Sequence, residues 1–156
     1  MRYFFAVLFA FGLAACAYAQ TITGPQPSLS RSTLVIETSD GPVSFTVELA
    51  NTAIQRQTGM MFRRTLAANA GMLFDFQNQA YRSFWMKNTF VSLDLLFIRS
   101  DGTIAHIAAN ATPLSEASIN SGAPVRAVLE IPGGRAAARG IAPGDLVRHA
   151  IFANAP

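Results

Sequence analysis

The chain has 156 residues, of which 51% are hydrophobic and 13% charged, and its formal net charge is +3 at pH 7. This length fits one domain in addition to a targeting segment, and the apolar content predicts a core that is large relative to the surface. The small excess of basic residues is scattered along the chain, which argues against nucleic-acid binding and only weakly favours an anionic partner.

Residues 1–19 have the pattern of a secretory signal peptide. Arg2 supplies a positive start, Tyr3 to Leu13 form an apolar run, and Ala17-Tyr18-Ala19 is a small-residue cleavage site. The run is shorter than the roughly 20 residues that span a bilayer, and no later stretch is apolar for that length, so we expect no transmembrane helix. The pattern predicts export to the bacterial periplasm or cell envelope.

The single cysteine, Cys16, lies in Leu13-Ala14-Ala15-Cys16, which resembles the lipobox of bacterial lipoproteins. Two cleavage sites therefore stay open. Cleavage after Ala19 discards the cysteine, whereas cleavage before Cys16 makes it a lipid anchor, with about 0.8 kcal/mol of membrane affinity per buried CH₂. In both cases the folded region has no cysteine for a disulfide, a nucleophile or a metal site.

After the signal peptide we expect a flexible segment, residues 20–31, and then a single β-rich domain, residues 32–156. Residues 32–38 are rich in β-branched side chains, and Val43 to Leu49 alternate between apolar and polar residues. The two runs are joined by Ser39-Asp40-Gly41-Pro42. They predict a β-hairpin.

Two short helices are expected. The first starts at Asn51 or Thr52, with Gln55 placed for a capping box, and runs to about Gln57. The second covers Arg135 to Arg139 and is closed by Gly140.

Six further segments have the composition of strands: Gly71–Phe76, Tyr81–Met86, Leu93–Arg99, Thr103–Ala109, Val125–Ile131 and Leu146–Phe152. Asp101-Gly102 lies between two of them and predicts a type I′ turn. About eight short strands at regular turn spacing predict a mainly β (β-rich α+β) fold. It should be a compact antiparallel sandwich or a partly closed barrel with two or three short helices.

The segment from Ser83 to Thr89 holds the only tryptophan, Trp85, and the only lysine, Lys87, followed by Asn88. In an extended strand Trp85 and Lys87 share one face. An aromatic ring beside a cation is typical of sites that stack on sugars or bind carboxylates and phosphates. The alternative is that Trp85 fills the core while Lys87 extends from the strand end into water.

Two acidic residues, Asp94 and Glu130, lie within apolar strands and should be partly buried. A buried carboxylate must be paired or protonated, and Lys87 or an arginine is the expected partner of Asp94, while Arg126 precedes Glu130 by four residues. As a pair, the two carboxyls suit general acid/base catalysis of the kind glycosidases use. The alternative is that each anchors a loop through backbone N–H groups and basic side chains.

Arg56 and Arg63 flank a turn at Gly59, where their guanidinium groups suit a carboxylate or phosphate, although a structural role explains them equally well. Met60, Met61, Met72 and Met86 include thioethers that suit Cu(I), but core packing explains Met72 and Met86. His106 and His149 lack ligand spacing, and there is no zinc signature. We therefore expect no metal ion and no cofactor.

Several motifs in order resemble the prokaryotic family known as domain of unknown function 192. They are Gly71-Met72-Leu73-Phe74, Phe84-Trp85-Met86-Lys87-Asn88-Thr89, Leu93-Asp94 and Val128-Leu129-Glu130, preceded by Arg56 and Gly59-Met60-Met61-Phe62-Arg63. The resemblance extends from about Val43 to Phe152. It implies a compact, mostly β domain that is often exported, and it implies no established activity.

The residues together predict an exported protein that binds a small polar ligand, a sugar or an anion. The expected site contains Trp85, Lys87, Asn88 and Asp94, with Arg56, Arg63 and Glu130 completing it. One alternative is a glycan-acting hydrolase or lyase that uses Asp94 and Glu130. Another is an interaction protein of the cell envelope whose motifs are purely structural.

Overall fold

A computed structural model of the protein describes residues 21–155. The predicted signal peptide and the lipobox-like Cys16 lie outside the described residues. Within residues 21–155 no helix combines the length and the apolar character needed to cross a membrane.

Residues 21–155 form nine strands, two short α-helices and one 3₁₀ turn. In chain order these are β1 (Arg31–Thr38), β2 (Gly41–Ala50), α1 (Ala53–Thr58), β3 (Ala70–Ala80), β4 (Ser83–Phe84), β5 (Leu93–Ile98), β6 (Ile104–Ala111), β7 (Ile119–Asn120), β8 (Val125–Pro132), α2 (Arg135–Ala138), β9 (Leu146–Arg148) and the 3₁₀ turn Ala150–Phe152. The fold is mostly β, as the sequence predicts.

Seven strands make one sheet in the order β6-β5-β8-β3-β2-β1-β9, and β4 pairs with β7 in a small second sheet. Neighbouring strands of the large sheet are antiparallel except β2 and β3, which are parallel because the chain crosses over through α1 between them. An isolated bridge between Thr103 and Leu146 links the two ends of the sheet. The sheet therefore curls into a half-barrel, which is nearer to the predicted partly closed barrel than to a sandwich.

The large sheet carries a hydrophobic core on each face. Along β5 all six side chains are buried, and they alternate between the two cores because successive side chains of a strand point to opposite faces. Leu96 belongs to the first core with Leu129, and Leu95 belongs to the second core with Met72. Each fully buried side chain of this size contributes about 1.5–3 kcal/mol relative to exposure.

The first helix is confirmed, together with its capping box. Thr52 accepts a hydrogen bond from the backbone N–H of Gln55, and the Gln55 side chain accepts from the backbone N–H of Thr52. The helix ends at Gly59, whose φ of 48° is in the region that favours glycine. This end places the turn that follows α1 over the second face of the sheet, where Met60 is buried in the second core.

Two predicted strands are longer than the observed ones. The segment Tyr81–Met86 is a strand only at Ser83–Phe84, because beyond it the Met86 carbonyl accepts a turn hydrogen bond from the Thr89 N–H. The segment Leu146–Phe152 leaves the sheet after Arg148, where His149 caps the 3₁₀ turn through its side chain.

The predicted type I′ turn at Asp101-Gly102 is also wrong. Only Gly102 has a positive φ, 89°, whereas a type I′ turn needs two such residues. The Arg99 carbonyl accepts from the Gly102 N–H, and the Arg99 N–H donates to the Thr103 carbonyl. The hairpin therefore closes through a three-residue loop with glycine in its last position.

Candidate functional site

Asp94 is fully buried and anchors a loop. Its carboxylate accepts backbone hydrogen bonds from Asn110 at 2.8 Å, Gly134 at 2.9 Å and Ala136 at 2.8 Å. These donors come from the end of β6 and the start of α2. Asp94 thus satisfies the first amides of a helix whose N-cap residue, Gly134, has no side chain. Neither Lys87 nor an arginine pairs with it within residues 21–155.

Asp94 and Glu130 lie on opposite faces of the sheet. In the pairing of β5 with β8, Asp94 is opposite Ile131, and Glu130 is opposite Leu95. Directly opposed residues point to the same face, and successive residues point to different faces. The two carboxyls therefore do not meet in one cleft, and a mechanism that divides acid and base roles between them has no geometric support.

A pocket of about 380 Å³ opens on the face that carries Glu130. Its walls come from α1 and the turn after it, from the middle of β3, from the segment Ser83–Thr89 and from β8. The lining residues are Ala53, Arg56, Gln57, Thr58, Gly59, Met60, Met61, Phe74, Phe76, Ser83, Phe84, Trp85, Lys87, Thr89 and Glu130. Four of the seven predicted site residues are among them: Arg56, Trp85, Lys87 and Glu130.

Glu130 is the acidic residue of this pocket, and it is 4% exposed. Its strand neighbours are Met72 on β3 and Leu95 on β5, both fully buried. Its Oε2 has no hydrogen-bond partner within residues 21–155. Burial raises the pKa of Glu130 to about 8, against a weaker opposing attraction from Arg63, so the carboxyl is mostly protonated at pH 7.

Trp85 and Lys87 form one side of the pocket entrance. The Lys87 Nζ lies 5.0 Å from the centroid of the Trp85 ring, close enough for a cation-π interaction. Trp85 is 47% exposed, so it does not fill the core. Lys87 is 3.8 Å from the carboxylate of Glu116, and both of these side chains are well exposed, so this ion pair is weak.

Arg56 on α1 supplies a second cation to the pocket. Its Nη1 donates to the carbonyls of Asn51 at 2.7 Å and Asp75 at 2.9 Å, and its guanidinium lies 5.2 Å from the centroid of the Phe76 ring. These contacts hold the side chain in place but do not neutralise it. Within residues 21–155 Arg56 forms no ion pair.

Arg63 and Asn88 lie outside the pocket lining and have structural contacts. Arg63 forms a two-pronged ion pair with buried Glu48, with distances of 2.9 and 2.8 Å. Glu48 also accepts the Leu29 N–H at 3.0 Å, so the pair fastens the N-terminal segment to β2. Asn88 has a φ of 54°, and its carbonyl accepts from the Phe62 N–H at 2.7 Å, which joins the segment after β4 to the turn after α1.

Sequence reasoning missed the apolar lining and two hydroxyl groups. Phe74, Phe84 and Met60 line the pocket and belong to the family motifs. The motifs could therefore have indicated that these residues lie near the site. Thr58 and Thr89 are buried pocket residues, and their hydroxyls donate to the carbonyls of Ile54 and Lys87. Thr89 ends the family motif Phe84–Thr89, whereas no sequence pattern marks Thr58.

Residues 21–155 contain no group of three or more His, Cys, Asp or Glu side chains arranged to hold a metal ion. Of the four central methionines, Met60 and Met61 line the pocket, whereas Met72 and Met86 are at most 1% exposed in the second core. His149 is buried, and its ring Nε2 lies 2.8 Å from the Ser32 hydroxyl.

Among the solved structures similar to this chain are two bacterial proteins. One, from Sinorhizobium meliloti 1021, is provisionally called a transcription regulator; it is 44% identical, with a TM-score of 0.78, and the match covers 81% of this chain and 98% of that one. The other is a protein of unknown function from Novosphingobium aromaticivorans DSM 12444; it is 36% identical, with a TM-score of 0.77, and the match covers 90% of this chain and 100% of that one.

No curated protein matches the chain with significance. The family model of domain of unknown function 192, described as an uncharacterized ACR, matches residues 35–149, which is most of the sequence and agrees with the motifs around Trp85 and Glu130. The chain therefore belongs to the domain of unknown function 192 family.

Proposed function

We propose that this protein is an exported binding protein of the bacterial cell envelope that holds a small polar ligand, a sugar or an anion, in the pocket between α1, β4 and β8. One observation carries the proposal. The only tryptophan and the only lysine of the chain meet at a cavity whose buried acid, Glu130, has an oxygen without a partner within residues 21–155. A buried polar atom without a partner costs about 1–3 kcal/mol, which a ligand group can recover.

The size and lining of the cavity support this function. Its volume of about 380 Å³ lies within the range of small-molecule sites, roughly 300–1,000 Å³, and such sites combine apolar walls with a few polar groups. Here Phe and Met side chains form the apolar walls, and the ionisable groups are two cations and one acid, beside the neutral polar side chains of Gln57, Thr58, Ser83 and Thr89. Trp85 is half-exposed at the entrance, where an aromatic ring stacks well on the apolar face of a sugar.

The two alternatives are less well supported. A glycan-acting enzyme that uses Asp94 and Glu130 needs both carboxyls in one cleft, and the strand register puts them on opposite faces. A purely structural role for the family motifs predicts a packed Trp85 and no cavity beside Lys87. Export is supported by the signal-peptide pattern of residues 1–19, and the lipobox-like sequence keeps a lipid anchor at Cys16 as its alternative.

A thermal-shift screen of residues 20–156 tests ligand binding, with sugars, sugar acids, small carboxylates and phosphates as probes. A ligand at about 100 times its Kd stabilises the native state by about 2.7 kcal/mol. We expect at least one probe to raise the Tm of the wild type and of Arg139→Met, a matched change at an exposed cation outside the pocket, and to have no effect on Lys87→Met. No shift with any probe would contradict the proposal.

Export and anchoring need their own experiment. Membrane fractionation of cells that express the full chain and its Cys16→Ser variant separates the two forms. An anchored protein moves from the membrane to the soluble periplasmic fraction in the variant, whereas a free periplasmic protein is soluble in both. Retention of both proteins in the cytoplasm would refute the export proposal.

A further inference from the structure

The chemistry of the pocket is asymmetric. Glu130 lies at the buried end against Met72 and Leu95, while Lys87 and Arg56 are partly exposed. Phe84 and Met61 also line the cavity. A ligand that fills it therefore meets cations at its exposed part, apolar side chains along its body, and a carboxyl at its buried end.

The cations favour an anionic group on the ligand. Arg56 is held by backbone carbonyls, and the weak partner of Lys87, Glu116, is 61% exposed and so is easily displaced by a ligand carboxylate. The guanidinium and the ammonium thus bring positive charge to a cavity in which Glu130, the one acid that lines it within residues 21–155, is buried. This is the arrangement that binds a carboxylate or phosphate.

The buried end selects for a hydrogen-bond acceptor. A protonated carboxyl has one O–H donor, and the Oε2 of Glu130 has no partner within residues 21–155. An ether, hydroxyl or keto oxygen on the ligand can accept that hydrogen bond.

Resting on the proposed function, we propose that the pocket selects small hydroxy- or keto-carboxylic acids, sugar acids included. The ligand carboxylate lies at Arg56 and Lys87, and a ligand oxygen accepts a hydrogen bond from the carboxyl of Glu130. The carbon skeleton packs between them against Phe84 and Met61. Recognition therefore depends on two groups of the ligand at once.

The protonation state of Glu130 adds a pH dependence. Because burial raises its pKa to about 8, the carboxyl donates at pH 7 but is mostly ionised at pH 9, where it repels an anionic ligand. The other charges near it come from four segments. Arg63, in the turn after α1, is neutralised by Glu48 on β2, and Arg56 and Lys87 face the pocket from α1 and from the segment after β4.

Calorimetric titration of residues 20–156 with two pairs of probes tests the proposal. Glucuronate is compared with glucose, which lacks the carboxylate, and lactate with propionate, which lacks the hydroxyl. In at least one pair the hydroxy acid should bind about tenfold more tightly than its partner. Lys87→Met should abolish the preference for glucuronate over glucose, and Arg139→Met should retain it.

Variants at Glu130 test the buried end. Glu130→Gln keeps a donor, so it should still prefer lactate over propionate, whereas Glu130→Leu should not. The affinity of the wild type for the hydroxy acid should fall about tenfold between pH 7 and pH 9, as expected for a donor with a pKa of about 8, and that of Glu130→Gln should stay constant.

The outcomes separate the two proposals. Binding of neutral sugars as tightly as their acids, or binding only of other probes in the thermal-shift screen, would overturn the hydroxy-acid proposal and leave the binding function standing. Silence of the whole screen would overturn both. The comparison of the probe pairs uses the wild type alone. It can therefore refute the proposal even if a variant fails to fold.

Discussion

Replacing Asp94 with Asn tests whether the first buried carboxylate is structural. The Oδ1 of Asp94 accepts the N–H groups of Asn110 and Gly134, and its Oδ2 accepts the N–H of Ala136. Asn retains one acceptor oxygen and places an NH₂ group at the other position. In Asp94→Asn the amide of Ala136 therefore loses its acceptor and faces a donor in a fully buried site.

The expected loss of stability is large. A hydrogen bond to a charged group contributes about 1.5–3 kcal/mol, and the two remaining bonds also weaken when the acceptor becomes neutral. We expect Asp94→Asn to lower the free energy of unfolding by about 3 kcal/mol. With an m-value of about 1.5 kcal/mol per M urea, the unfolding midpoint falls by about 2 M.

Urea unfolding followed by circular dichroism measures this change, with Asp40→Asn as the control. Asp40 is exposed and accepts no backbone N–H within residues 21–155, so its substitution should change stability by no more than about 0.5 kcal/mol. Below its unfolding transition, Asp94→Asn should bind ligand as the wild type does. A destabilisation below about 1 kcal/mol, or a selective loss of affinity in a protein of normal stability, would refute the structural role.

Three further changes probe the framework of the pocket. Arg63→Met leaves buried Glu48 with only the longer contact to Arg31, at 3.8 Å from an exposed side chain, and should cost about 3 kcal/mol in urea unfolding at pH 7. The hydrogen bond from Arg63 lowers the pKa of Glu48 below 4.5, so the ion pair stabilises the native state fully above that pH and stops doing so as the pH falls. The difference in free energy of unfolding between the wild type and Arg63→Met should therefore be smaller in acid than at pH 7. Gly71→Ala places a Cβ 2.7 Å from the backbone oxygen of Glu130 and should lower the free energy of unfolding by about 2 kcal/mol. An unchanged urea midpoint would contradict this, because it would mean that β3 and β8 separate without cost. Because burial raises the pKa of Glu130 to about 8, the native state loses stability as pH rises from about 4.5 to 8. Glu130→Gln should reduce this loss. Identical dependence of the free energy of unfolding on pH in the wild type and Glu130→Gln would contradict the burial argument.

The strands and first helix were predictable because their signals are local. Val43 to Leu49 alternate, and this period of two is the period of a half-buried strand, so β2 was found with little error. Thr52 and Gln55 mark the start of α1 for the same reason, since a capping box involves only residues three apart. The parallel pairing of β2 with β3 was missed, because it depends on where the chain returns after α1.

The site was predictable in part. Trp85 and Lys87 stood out by composition, and both line the pocket. Asp94 and Glu130 looked alike in sequence, as single acids in apolar strands. Only the register of β5 against β8 puts them on different faces, and register is a property of pairing between distant segments. Likewise, Arg63 could not be distinguished from Arg56 until Glu48 was placed beside it.

The contrast between the two buried acids is the strongest reason to assign a function to Glu130. Asp94 shows that this fold can satisfy a buried carboxylate completely, with three backbone N–H groups at 2.8–2.9 Å. Glu130 lies on a neighbouring strand, is almost as buried, and keeps an oxygen without a partner beside a cavity. An apolar side chain at this position would avoid the cost of burying that oxygen and would pack against Met72 and Leu95. A structural role for Glu130 therefore leaves the free-energy cost of burying its carboxyl unexplained. A ligand that accepts a hydrogen bond from the Glu130 O–H accounts for both the acid and the cavity.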